Sequence, residues 1–146
     1  MSETTYTSKI TSSKSSATTV YRALGNLSNL EHVMHLIPQD KVSDIEVTPD
    51  LIRFKVDGLG QKVGIRLVDR EENSMLKFGV ENMPLQANFW IQMKEAASGD
   101  TRLKLTLRCD IPVMFRMMLE NKLKEGLDQA ADMLAQMPFE QWDSND

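Results

Sequence analysis

The chain has 146 residues, 41% of them hydrophobic and 26% charged, with a formal net charge of -4. That is the composition of one folded domain, and its acidic balance argues against a protein that binds nucleic acid by neutralising phosphates, so no nucleic-acid partner is expected. The lone cysteine, Cys109, cannot close an internal disulfide. No stretch approaches the roughly 18 apolar residues of a membrane span, and residues 1–10 lack the basic-then-apolar order of a signal peptide. The chain therefore reads as cytoplasmic, with no stable membrane insertion.

In chain order, Thr5–Ser13 alternates, with Tyr6, Ser8 and Ile10 on one side, and predicts a strand. Ser15 and Ser16 are suitable N-caps for a short helix over Ala17–Leu24, which Gly25 stops. Leu27, Leu30, Val33, Met34 and Ile37 stand at helical spacing and predict a second short helix that Pro38 ends. Six strands follow: Val42–Thr48, Leu51–Asp57, one around Val63–Leu67, one around Leu76–Val80, one around Phe89–Met93, and one around Leu103–Cys109. The polar run Asp69–Ser74 and the tripeptide Ser98-Gly99-Asp100 read as turns. Alternation of this kind makes a sheet with one dry face, and short turns make it antiparallel.

The dry face needs a cover, and the last quarter of the chain supplies one. Pro112 suits a first helical position. Leu119, Leu123, Leu127, Ala130, Leu134 and Met137 form one stripe on a long helix to Gln136. Gly126 interrupts it, suggesting either a close approach to the sheet or a bend. Residues 1–139 make one domain in this reading, and 140–146 a flexible acidic tail.

The runs Lys9-Ile10-Thr11-Ser12-Ser13, Ala17–Leu24 and Leu27-Ser28-Asn29-Leu30, together with the element order, resemble the START-like superfamily. It includes the polyketide cyclase/dehydratase-like and Bet v 1-like proteins. The resemblance covers about Thr5–Phe139. It implies an α+β helix-grip fold: a seven-stranded curved antiparallel sheet, two short helices after strand 1, and a long C-terminal helix over the concave face. It also implies an internal cavity for lipids, polyketides or similar molecules, used by some members for catalysis.

By parity the cavity would be lined by Met34, Ile52, Phe54, Val63, Ile65, Phe78, Phe89, Ile91, Met93, Leu105, Phe115, Met118, Leu119 and Leu123. The function expected is that of a carrier or sensor of an apolar or amphipathic small molecule. An enzyme of the polyketide cyclase/dehydratase kind using the same cavity is the alternative. Met114, Met117 and Met118 open the long helix, where such soft side chains either gate a cavity mouth or fill core.

No catalytic set is visible. Cys109 has no sequence-evident His or acid partner, and Asp44 and Glu46 flank Ile45 and point away from it. His32 and His35, near Glu31, lack the further ligands a zinc site needs, so no metal and no cofactor are expected. The wet face carries many bases and a Trp. Trp90, Arg66, Lys104 and Arg108 form a candidate interaction surface, open to a homodimer contact, although Trp90 covering Gly79 is the plainer role.

Overall fold

The computed structural model of the chain describes residues 3–29, 42–56, 60–82 and 86–143. Among them, eight strands form one antiparallel sheet. They are β1 (Thr4–Thr7), β2 (Thr11–Ser13), β3 (Val42–Thr48), β4 (Leu51–Val56), β5 (Lys62–Glu71), β6 (Met75–Glu81), β7 (Ala87–Ala97) and β8 (Asp100–Cys109). Each strand from β3 to β8 lies beside the next, and β1 and β2 both close onto β8. Three helices complete the structure: α1 (Ala17–Leu24), α2 (Val113–Ala135) and α3 (Phe139–Asp143).

The eighth strand arises because the expected first strand is broken. Tyr6 pairs with Leu107 and Thr7 with Thr106, but Thr11 pairs with Leu103. One extra residue sits on the β1–β2 side, which is the count of a β-bulge. Ser8 fills the gap in the ladder: its N–H donates to Leu105 O at 2.8 Å, and its Oγ accepts from Leu105 N–H at 2.9 Å. Past the bulge the parity inverts. Ile10, expected beside Tyr6, is 63% exposed, while Ser13 is buried.

The rows of the dry face follow from register. Phe89, Ile91 and Met93 pair with Leu107, Leu105 and Leu103. Leu76 and Phe78 pair with Ile91 and Phe89, and Ile52 and Phe54 pair with Ile65 and Val63. A second bulge at Val68 lets β5 run to Glu71, through residues expected to be a turn. A third, between Ser43 and Glu46, puts Asp44 at φ 52. Gly99 takes φ 74 in the β7–β8 hairpin, a conformation that costs glycine little.

The core sits at one end of this face. Leu76, Leu103 and Leu105 are fully buried there, with Val20 and Ala23 from α1, Leu127 and Ala131 from α2, and Phe139. Each such Leu or Phe contributes roughly 1.5–3 kcal/mol by leaving water. α1 begins as expected: Ser16 Oγ accepts from Thr19 N–H at 3.1 Å. Gly25 caps it with N–H donated to Tyr21 O, and a side chain there would meet that carbonyl at 2.7 Å. Of the second short helix, Leu27–Asn29 forms a single 3-10 turn, and the rest lies outside the described residues.

Two expectations about the C-terminus change. Pro112 is the N-cap of α2 rather than its first helical residue. The chain from 140 does not leave the fold as a tail, because Glu140–Asp143 belong to α3, which packs on α1. Phe139 is fully buried and meets Trp142 edge to face at 5.4 Å between centroids.

Phe139→Ala should cost about 3–5 kcal/mol in urea unfolding; a loss below about 0.5 kcal/mol would mean that α3 does not pack as described. Ser8→Ala should cost about 1–3 kcal/mol, because it strands the buried Leu105 N–H.

Candidate functional site

The concave wall and α2 face each other unevenly. α2 packs chiefly against β1, β2 and β8. Its buried residues lie after Gly126, with several polar ties. Leu127 and Ala131 enter the core, Lys9 N–H donates to Asp128 Oδ1 at 2.7 Å, Thr11 Oγ1 donates to Ala131 O at 3.0 Å, and Lys9 Nζ pairs with Asp132 at 2.8 Å. An added Cβ on Gly126 meets nothing within 4 Å. The glycine therefore serves no close approach to the sheet.

Before Gly126 the helix is exposed. Phe115 is 46%, Leu119 39% and Met117 88% exposed, and Val113, Met114 and Met118 are exposed as well. Three of the expected lining residues, Phe115, Met118 and Leu119, are thus not enclosed by described residues. The physical reason is the helix face chosen. The side toward the sheet steps through Arg116 and Leu123 to Leu127, each partly or fully buried, and the methionines fall on the flank. Met114, Met117 and Met118 are therefore neither core nor a closed gate.

On the sheet, Ile52, Val63, Phe78, Ile91, Met93 and Leu105 are buried. Phe54, Ile65 and Phe89 are only half-buried, although they belong to the same dry rows. Phe78 and Phe89 are in tilted contact, 6.2 Å between centroids. Leu123 packs at the margin of the core. Met34 lies outside the described residues, as do His32 and His35. The structure therefore brings the sheet members together in the rows of one apolar face.

One polar side chain stands on this wall. Tyr6 is 3% exposed, and its hydroxyl has no hydrogen-bond partner among the described residues. Burial pushes its phenol above the ordinary value, and the carboxylate of Glu120 and the Cys109 thiol push the same way. Arg116 and the Thr4 side chain oppose them. Sequence reading put Tyr6 on the right side of its strand without singling it out; its isolation depends on where α2 lies, which no local pattern reports. Cys109 is buried and its thiol is pushed up by burial, then by Asp110, so it is a poor nucleophile. Among the described residues no group of three or more His, Cys, Asp or Glu is placed to hold a metal.

The outer face differs from expectation in its details. Trp90 pairs with Lys77, and Asn88 is what stands opposite Gly79. Lys77 Nζ lies over the Trp90 ring at 5.3 Å, a cation–π contact. Several of the bases are neutralised: Arg66 by Glu81 at 2.6 Å, Lys62 by Glu46 at 2.8 Å, Lys55 by Asp44 at 3.3 Å and Arg102 by Asp100 at 3.0 Å. The bulge in β3 thus leaves Asp44 and Glu46 on the solvent side. A groove of about 1080 Å³ reaches Ala17 of α1 and the dry-face residues Met93 and Leu103, and has Trp90, Lys104 and Gln92 of this face among its lining residues. Arg66 and Arg108 are not among them; Arg108 Nε donates to Thr5 Oγ1 at 3.4 Å.

No family model matches the chain, and no curated protein matches it. Among solved structures it is similar to norcoclaurine synthase from Thalictrum flavum in complex with dopamine and hydroxybenzaldehyde, at 11% identity and a TM-score of 0.68, over 92% of this chain and 84% of that one. It is also similar to a Thermobifida fusca protein solved by NMR, at 16% identity and 0.63, over 94% of both chains. A third likeness is to a Staphylococcus aureus protein of unknown function, at 11% and 0.61, over 98% of this chain and 94% of that one. The fold is the Bet v 1-like helix grip. At these identities the likeness concerns the fold alone. No described helix of this helix-grip chain is long and apolar enough to cross a membrane.

The raised Tyr6 and Cys109 groups set an alkaline limit. Their contribution is complete below the unfolded values, about 10 and 8.5, and is lost as pH rises through the higher folded values. In urea unfolding between pH 8 and 11.5, Tyr6→Phe should flatten the loss of stability above pH 10. An unchanged slope would contradict the burial of this phenol.

Proposed function

We propose that this helix-grip chain binds an apolar or amphipathic small molecule, a lipid, polyketide or similar compound, and acts as a carrier or sensor. The observation that supports this most is the incomplete core. Apolar side chains of the sheet's dry rows (Phe54, Ile65, Phe89) are only half-buried, and Phe115 and Leu119 of α2 are exposed. A protein interior is normally filled to crystal density, and an apolar concavity with few polar groups is the usual form of a small-molecule site. The norcoclaurine synthase of the same fold was solved with two small aromatic molecules, which agrees in ligand size and character.

A catalytic use of the same wall has one observation in its favour, the buried ionisable Tyr6. At neutral pH a phenol held above its ordinary value donates a proton in a hydrogen bond and does not serve as a base. The other buried polar side chains among the described residues are Ser8, Ser13, Ser15 and Thr101, and none of them is a base either. Binding is therefore the reading we adopt.

Titration with 1-anilinonaphthalene-8-sulfonate should give saturable fluorescence enhancement. Phe54→Ser should weaken it by at least about tenfold, roughly 1.4 kcal/mol, while Trp90→Ala on the outer face leaves it within about twofold. Binding that fails to saturate, or that falls with Trp90→Ala and not with Phe54→Ser, would contradict the assignment to the concave wall.

A further inference from the structure

Tyr6 is costly as it stands. A buried hydroxyl without a partner forfeits its hydrogen bonds to water, about 1–3 kcal/mol, and buried polar groups are nearly always satisfied. Phenylalanine would fill the same position at no such cost. The register of β1 points Tyr6 to the concave side, opposite Leu107, which in turn pairs with Phe89 of the apolar wall. Glu120 and Arg116 of α2, both before Gly126, act on the Tyr6 phenol electrostatically. That half of the helix has no fully buried residue, while the hydrogen bonds and ion pair from Lys9 and Thr11 to Asp128, Ala131 and Asp132 lie behind it.

We infer that Tyr6 is the polar anchor of the binding site: its hydroxyl donates a hydrogen bond to an acceptor oxygen on the bound molecule, reached when the first three turns of α2 lift from the sheet. The inference rests on the small-molecule reading above and narrows its ligand. The compound carries a carbonyl, ether or hydroxyl oxygen at the end of an apolar body, because only an acceptor completes the phenol.

Two naphthalenes of nearly equal shape separate the possibilities: 2-acetylnaphthalene, which has an acceptor oxygen, and 2-isopropylnaphthalene, which has none. On the wild-type chain both bind. On Tyr6→Phe, the acetyl compound should bind about tenfold more weakly, the isopropyl compound within about twofold of wild type, and the melting temperature of the free protein should hold or rise. Equal affinities of both probes for variant and wild type would overturn the anchor and leave the small-molecule reading intact. A melting temperature several degrees lower, with both probes weakened alike, would show a structural hydroxyl satisfied internally and would overturn it too. If neither probe binds the wild type, both readings fall together. Amide hydrogen exchange supplies the matching check on the helix: residues 113–122 should exchange faster than 127–135, and equal protection of the two halves would rule out the lifting.

Discussion

The break between β1 and β2 determines how the rest of the molecule is arranged. One surplus residue around Ser8 inverts the parity of the first strand, so that Tyr6 faces the concave side on one side of it and Ser13 does on the other. The two Ser8–Leu105 hydrogen bonds keep the ladder satisfied across the defect. The same defect frees the backbone and side chain of Lys9 to hold Asp128 and Asp132, and Thr11 to hold Ala131. The bulge thus anchors the C-terminal half of α2.

From this follows a division of the concave side into two parts. At one end α1, α3 and the second half of α2 close a conventional core around Leu76, Leu103, Leu105 and Phe139. At the other, the sheet continues as an apolar wall while the first half of α2 brings charged Arg116 and Glu120 toward Tyr6 and turns its methionines to solvent. Most of the packing lies in the first part and the proposed site in the second, as expected where binding elements come from the less stable end of a structure.

The strands and the long helix were legible because alternation and the four-three stepping of Leu119 to Met137 each report a dry face directly. The bulges were not, because a surplus residue is defined by the partner strand and leaves no local mark. Local alternation therefore points Ile10 inward and makes Asp69–Glu71 a turn; the pairing of Trp90 with Lys77 in place of Gly79 is a matter of register in a regular ladder, which the sequence of one strand does not report. The stripe on α2 was sound from Leu123 onward and failed at Leu119 and before, where the sheet-facing residues are charged and the apolar ones are not sheet-facing. Residues 140–143 were read as tail from their polarity, but one aromatic, Trp142, is enough to seat that segment on the buried Phe139. The concave wall of the candidate site came from parity alone, whereas Tyr6 needed the position of a helix more than a hundred residues away in the chain.

The central claim is that the concave wall, and not the outer groove around Trp90, takes up the small molecule. Methyl-detected NMR during titration with an uncharged naphthalene tests it site by site. The account predicts shift changes at Ile65, Leu107 and Leu123, with Ile10 and Val68 of the outer surface unmoved. Changes confined to Ile10 and Val68 would contradict it.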